Sequence, residues 1–377
     1  MRHEEVSSPT SEPSEVLFAI VTDDSAPIDQ LAGFGGWPGT LGRLVDGNDL
    51  SRANAEAAMA EILAGGATAS QISGLIVALR LKGETVDEMS GLATAMLSAS
   101  EPLSMPGDAI DIVGTGGSAH RRKHALNVST MASFVASAAG ATVCKHGNFK
   151  ASSTSGSFDF LSELGIRVDL TPTQLEQCVA ETGIGFALAR TFHPAMRHAG
   201  PVRAELGIPT VFNVLGPLAH PARVRRQVIG CATEELAARM AAVLQVLGSE
   251  RAWVITGDGG LDELSTTGPS VIFDTTRDRI ERLEIDLRFL GITPPESMDE
   301  LAGGTAADNV AIFEAILDGS ERGSRRDIVA LNAGAGLVVA GLADSLADGL
   351  QMANDAIDDG RSAAKLASVR AFSADLA

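Results

Sequence analysis

The sequence predicts an α/β protein: a small helical domain, then a larger α/β domain with a central, mostly parallel sheet. Three observations carry this reading. Apolar residues recur at helical spacing across residues 48–100, strands alternate with helices after Pro106, and the strand ends run into glycine-rich or polar turns. In the front segment, Ala57, Ile62 and Leu63, then Ile72, Leu75 and Ile76, then Met89, Leu92, Ala93 and Met96 return to one face each. Thr85 and Glu88 form a capping-box pattern before the third run, and Gly65, Gly66 and Gly83 punctuate the ends. No β-branched alternation interrupts it, so residues 48–105 read as a bundle of short helices. Residues 1–47 read as a partly disordered N-terminal tail, since residues 1–14 are polar and acidic with two prolines and lack the apolar core of a signal peptide.

Beyond Pro106 the pattern changes. Residues 108–113 read as a strand, followed by a glycine turn and a helix over about 129–139. Residues 141–144 read as a second strand, with a polar turn and a helix near 157–164. Thr171-Pro172-Thr173-Gln174 joins a capping box to a proline at the first helical position, so a helix runs from there to Gly183. Later strands fall at 226–230, 251–256 and 270–273, with a helix over 234–247, and helices at 307–317 and 345–357 close the chain. Such a sheet binds ligands at the carboxyl ends of its strands. No internal repeat is present.

At 377 residues, 45 % hydrophobic and 20 % charged, the chain has the balance of a packed globular protein. Its apolar stretches, such as 134–143, are too short to span a bilayer. Cys144, Cys178 and Cys231 are widely spaced in apolar surroundings, which suits buried reduced thiols in the cytoplasm and gives no zinc spacing. A net charge of −19 excludes a general nucleic-acid binder but leaves room for a small phosphorylated ligand held by local loops.

Four constellations carry candidate chemistry. The first is Asp111-Ile112-Val113-Gly114-Thr115-Gly116-Gly117-Ser118, followed by Asn127-Val128-Ser129-Thr130. A strand ending in three glycines gathers bare amides suited to an anion such as diphosphate, and Asn127, Ser129 and Thr130 stand at a helix N-terminus. An ordinary glycine turn has the same local pattern. The dinucleotide fingerprint fits only loosely, because residues 120–124 are polar and basic where its helix packs, and no Walker loop is present. The second is Lys145-His146-Gly147-Asn148 with Ser152, Ser153 and Ser155 beyond it, which suits phosphate oxygens or is a solvated turn. The third is Asp262-Glu263 on a glycine-rich loop, adjacent carboxylates that share Mg²⁺ with a diphosphate or form an acidic surface turn. The fourth runs from His193 and His198 through Arg203 to Phe212-Asn213-Val214-Leu215-Gly216-Pro217-Leu218. Arg203 suits a carboxylate, or is a surface arginine.

Taken together and in this order, these motifs resemble anthranilate phosphoribosyltransferase over residues 48–361. Asp-Ile-Val-Gly-Thr-Gly-Gly, Asn-x-Ser-Thr, Lys-His-Gly-Asn, His-Pro-x-x-Arg-His, Phe-Asn-x-Leu-Gly-Pro-Leu and Asp-Glu-Leu-Ser carry the resemblance. It implies a fold like that of the nucleoside phosphorylases and class III phosphoribosyltransferases, with about 192–220 rejoining the helical domain, 106–377 forming the donor domain, and a homodimer made through the helical part. It implies a small acceptor and a phosphorylated sugar donor, with no nucleic-acid or membrane partner. The donor diphosphate would meet Gly114, Thr115, Gly116, Gly117 and Ser118, and its phosphates Asn127, Ser129, Thr130 and Lys145. Ser129, Asp262 and Glu263 would serve Mg²⁺, while His146, Asn148, His193 and Arg203 would line the acceptor path. No nucleophile is implied; the protein positions the reactants and neutralises the leaving group.

The sequence also departs from the family's pattern. Ser118 stands in place of an aspartate, Ala125 of a threonine, Phe149 of an arginine, His220 of an asparagine and Arg190 of a proline. The segment before Asn127 is about three residues longer and carries Arg121-Arg122-Lys123. These changes cluster in the donor and acceptor loops. They raise an alternative expectation, a specialised-metabolism transferase with another activated sugar, such as a sugar nucleotide, or another acceptor. A non-catalytic paralogue that binds a phosphorylated metabolite is the expectation from a different class, disfavoured by retention of Asp262 and Glu263.

Overall fold

The computed structural model describes residues 27–116, 126–150 and 154–376. Its front part is helical: Pro27–Ala32, Gly36–Val45, Arg52–Leu63, Ala69–Lys82 and Val86–Ser98. Capping boxes at Thr68 with Gln71 and at Thr85 with Glu88 start the last two helices. Glu88 is fully buried, its carboxylate taking the Leu50 and Thr85 amides at 2.9 and 2.8 Å and the Lys82 ammonium at 2.9 Å. Ala55, Met59, Ile62, Leu75, Ile76, Leu79 and Leu92 fill the centre of this bundle.

The helical part begins before Asn48, which corrects the expectation of a tail reaching residue 47. Leu31, Trp37 and Leu44 are buried in the same core, because Trp37, Leu41 and Leu44 lie on one face of Gly36–Val45. Residues 1–26 lie outside the described part.

The rear part is a seven-stranded sheet: β1 Ile110–Gly114, β2 Val143–Gly147, β3 Ile184–Leu188, β4 Arg226–Gly230, β5 Arg251–Thr256, β6 Ser270–Thr276 and β7 Ile280–Ile285. The order is β3-β2-β1-β4-β5-β6-β7, parallel through β5 and antiparallel beyond it. One face is covered by Val128–Ala138, Ser324–Ala340 and Leu346–Asp358, whose buried residues join Ile110, Ile112 and Val228 in one core. On the other face, Ile229 and Val254 share an apolar core with the helix Glu234–Val246 and the front bundle. Val202, Val211, Phe212, Leu215 and Leu218, from the helices Gly200–Leu206 and Phe212–Leu218 and the turn between them, belong to that second core as well. The helical bundle therefore grips the sheet through continuous apolar packing and places a cleft at the strand ends.

Candidate active site

The site sits where the strand order reverses. The chain runs outward from β1 to β2 and β3, then returns to set β4 on the other side of β1. In parallel sheets the crevice beyond the strand ends at such a reversal takes ligands. Gly114, the last residue of β1, pairs with Gly230, the last of β4, and the Thr115 amide donates to the Gly230 carbonyl at 2.9 Å.

The loop after β5 crosses this point. A Cβ on Gly230 would stand 1.6 Å from the Asp262 carbonyl oxygen, so only glycine there lets the loop pass. The crossing brings the Asp262 carboxylate to the first glycine loop. The Gly116 amide donates to Asp262 Oδ2 at 2.7 Å, across 146 residues of sequence. Asn332, on the buried helix Ser324–Ala340, pins the loop from behind: it accepts the Leu264 amide at 2.9 Å and donates to the Leu264 carbonyl at 3.0 Å. Asp262 and Glu263 are both buried.

Two more walls complete the donor side. Asn127 stands at the N-cap position of the helix Val128–Ala138, but its side chain is turned to other partners: its backbone amide donates to Asn309 Oδ1 at 2.8 Å and its own Oδ1 accepts from the Ser155 hydroxyl at 2.8 Å. Lys145, near the end of β2, is buried and donates from Nζ to the Ile112 carbonyl. Beneath it lies Asp111, which accepts the His146 amide at 3.2 Å. Burial pushes the Asp111 carboxyl up to about 7, while the Lys145 charge and the His146 and Ile112 amides pull the other way. A cavity of about 240 Å³ opens over Gly114, Thr115, Gly116, Asn127, Ser129, Thr130, Lys145, His146 and Asn148.

A second cavity, about 470 Å³, shares Gly114, His146 and Asn148 with the first and continues past His193, Arg197 and Arg203. Arg203 stands over the Phe212 ring at 5.1 Å, and burial lowers its pKa. Thus His193 and Arg203 line one cavity, the glycine-loop and helix-cap residues line the other, and His146 and Asn148 belong to both. Gly117, Ser118, Ala125 and Arg121-Arg122-Lys123 lie outside the described residues.

Three histidine rings pack against one another at this junction, tilted or edge-on. His146 lies 5.2 Å from His193 and 5.5 Å from His220, ring centre to ring centre. His146 Nδ1 meets the Gly216 carbonyl at 3.2 Å; a carbonyl only accepts, so Nδ1 carries the hydrogen and Nε2 keeps its lone pair. His220 accepts the Ala222 amide at Nδ1 and donates from Nε2 to the Cys144 carbonyl, at 3.1 and 2.8 Å. Burial holds His193 and His220 down at about 4 and His146 well below its ordinary value, so all three are neutral at pH 7. Among the described residues, His146 Nε2, His193 Nε2, Thr115 Oγ1 and Thr130 Oγ1 are buried without a hydrogen-bond partner. Each such atom costs about 1–3 kcal/mol unless a ligand meets it.

The depressed histidine pKa gives a testable sign. Between pH 4 and 6.5 the unfolded chain binds a proton at His220 that the folded chain refuses, so stability is lost as pH falls through that window. In His220→Asn the amide oxygen stands in place of Nδ1 and can keep the Ala222 bond without the titration. Its loss of stability between pH 6 and 5 is expected to be smaller by about 1 kcal/mol, measured as the difference in urea unfolding free energy at the two pH values. An equal slope in both proteins would place the titration elsewhere.

The carboxylates suit a hard metal ion. Asp262, Glu263 and the Ser129 hydroxyl are all oxygen donors. Among the described residues no group of three or more His, Cys, Asp or Glu is arranged to hold a metal alone. That donor set fits Mg²⁺, which takes few protein oxygens and completes its shell with phosphate and water.

Fold and site together define a two-lobed α/β protein with an anion cradle at the sheet's reversal point, flanked by buried carboxylates and a separate arginine-lined pocket. Two family models match it, the glycosyl transferase family helical bundle domain over residues 39–100 and the glycosyl transferase family a/b domain over residues 106–363. The chain is 45 % identical to the anthranilate phosphoribosyltransferase of Roseiflexus castenholzii over 86 % of its own length and 94 % of that protein. The crystal structure of anthranilate phosphoribosyltransferase from Thermus thermophilus matches with a TM-score of 0.82 at 38 % identity, over 88 % of this chain and 98 % of that one. The Saccharomyces cerevisiae enzyme in complex with PRPP and Mg matches with a TM-score of 0.82 at 25 % identity, over 92 % and 98 % of the two chains. The chain belongs to the anthranilate phosphoribosyltransferase family of glycosyl transferases.

Proposed function

We propose that this protein transfers the phosphoribosyl group of phosphoribosyl diphosphate to the amino nitrogen of anthranilate, with Mg²⁺, in tryptophan biosynthesis. The observation that carries the reading is the 2.7 Å bond from the Gly116 amide to the Asp262 carboxylate, which joins the glycine loop and the acidic loop in one cradle. Relatives named for this reaction, and one of them in complex with PRPP and Mg, support it.

In this reading Gly114, Thr115 and Gly116, with Gly117 and Ser118 beyond them, receive the diphosphate. Asn127, Ser129, Thr130 and Lys145 hold phosphate oxygens, and Asp262, Glu263 and Ser129 hold the metal. Arg203, held over Phe212, takes the acceptor carboxylate, with His146, Asn148 and His193 along the path. The amine lone pair forms the C1–N bond as the C1–O bond to diphosphate breaks, and the bonding electrons leave with the diphosphate. The attacking nitrogen then releases one proton. Charge neutralisation on the departing diphosphate is the chemistry Mg²⁺ supplies when bound. The His146 Nε2 lone pair, fixed by the Gly216 carbonyl, offers an acceptor for the amine hydrogen on its way to solvent, and the neutral histidines put no positive charge beside the developing cation.

Loss of anthranilate fluorescence on incubation with phosphoribosyl diphosphate and Mg²⁺, together with growth of a tryptophan auxotroph, tests the reading. Turnover of a sugar nucleotide but not of phosphoribosyl diphosphate would replace it.

The helical part with residues 192–220 forms one lobe of this enzyme and the rest of 106–377 the other, a division supported by the packing of Pro194–His198, Gly200–Leu206 and Phe212–Leu218 against the front helices Arg52–Leu63, Ala69–Lys82 and Val86–Ser98. A homodimer made through the helical part belongs to the same reading, as the resemblance implies. Light scattering at twice the chain mass is the expected result. The three free cysteines are buried, which suits a reducing cytoplasm, and no described helix is long and apolar enough to cross a membrane.

A further inference from the structure

The acceptor cavity carries more positive charge than one carboxylate needs. Its walls include Arg190, Arg197 and Arg203 and no aspartate or glutamate, in a chain of net charge −19. Arg203 lies against Phe212, and Arg190, just after β3, lies over the Phe149 ring at 5.0 Å. A guanidinium held over a ring by cation–π attraction keeps its N–H donors for a planar acid. Among the described residues neither arginine makes an ion pair. Asp169, whose carboxylate senses the Arg190 charge, is exposed and bonded to Arg167 at 2.9 Å.

The two partners of that stack are both departures from the family's pattern. An arginine at 149 would bring a second guanidinium against Arg190, about 5 Å away, with the repulsion of like charges. Phenylalanine at 149 removes that conflict and gives Arg190 a face to rest on. Phe149 lines the donor cavity, where Lys145 and Lys150 supply positive charge, and Arg190 adds a cation to the acceptor cavity.

We propose that Arg190, held by Phe149, is a specificity-determining residue that binds a second acidic group on the acceptor, so that the site takes aminobenzene dicarboxylates beside anthranilate and holds them more tightly. The inference rests on the reading of the larger cavity as the acceptor site.

The test is steady-state kinetics at saturating phosphoribosyl diphosphate and Mg²⁺, with anthranilate, 2-aminoterephthalate and 4-aminoisophthalate as acceptors. The expected ratio of kcat/KM, dicarboxylate over anthranilate, is about 10 or more for at least one dicarboxylate, as one charge-assisted contact gives. The difference is expected in KM rather than kcat. Arg190→Leu, at an exposed position, is expected to bring that ratio to about one or below, and Arg190→Lys to restore part of it. Turnover of anthranilate with a ratio below one for both dicarboxylates overturns the proposal and leaves the acceptor reading standing. A ratio that Arg190→Leu does not move also overturns it. No turnover of any of the three acceptors overturns the proposal together with the reading beneath it.

Discussion

Asp262→Asn is expected to lower kcat by about 100- to 1000-fold, the usual effect of removing one preorganised charge that acts on a leaving group. The substitution nearly conserves shape: the oxygen of the new side-chain amide can still accept the Gly116 N–H, so the contact that closes the cradle survives. What is lost is the negative charge that would hold the metal against the diphosphate. The fold is expected to change little, because Asn332 still pins the loop through the Leu264 backbone and the Gly116 contact survives. The measurement is kcat together with the Mg²⁺ concentration for half-maximal rate, which is expected to rise. A kcat within a factor of about three of the parent would remove Asp262 from the metal site.

Gly230→Ala is expected to be nearly as damaging, though the added methyl group touches no substrate. Its Cβ would stand 1.6 Å from the Asp262 carbonyl oxygen and 2.3 Å from the carbonyl carbon, so the acidic loop or the end of β4 must move. Overpacking against backbone costs about 1–3 kcal/mol, and more where the neighbour cannot shift. Here the neighbour is held by Asn332 on one side and by the Gly116 amide on the other. The expected result is a lower urea midpoint and a loss of activity of at least about 100-fold, since an ångström of misplacement costs that much in a positioned site. Gly42→Ala serves as the control, because a Cβ there meets nothing within 4 Å and the residue lines neither cavity. If Gly230→Ala retained full activity, the crossing of the loops would not set the geometry of the site.

The sequence carries the parts of the fold whose physics is local. β4 and β5 are legible because Arg226–Gly230 and Arg251–Thr256 are apolar and β-rich between polar turns, and the helix Glu234–Val246 announces itself through amphipathic spacing. The helix Ser324–Ala340 is not legible. It is buried over Ile328–Val339 on every side, so its apolar residues show no period. Its glycines read as breakers, although Gly334 and Gly336 are where the helix presses on Leu350 and Ile112. β3 is hidden for a related reason: Ile184–Leu188 is five residues long, wholly buried, and contains Gly185, which packs against Leu175 and Val179.

The same distinction holds at the site. The glycine loop, Lys145-His146 and Asp262-Glu263 stand out as residue types, but nothing local says that residues 116 and 262 meet; that follows from the strand order. Asn309 and Asn332 escape sequence reading because each is a lone amide on a helix. The signal was the burial of a polar residue among apolar ones: Asn332 sits in a run of alanines, glycines and valines, and only a partner can justify it there. The pairing of Arg190 with Phe149 is another such case, since two departures far apart in the chain become one contact in space.

The most direct test of the shared cradle is calorimetric titration of phosphoribosyl diphosphate with and without Mg²⁺, into the parent protein and into Asp262→Asn/Glu263→Gln. The expected result is tight binding by the parent that weakens at least about 10-fold when Mg²⁺ is removed, and no Mg²⁺ dependence in the double variant. Binding by the double variant with the parent's affinity and the parent's Mg²⁺ dependence would contradict it, because the acidic loop would then lie outside the site.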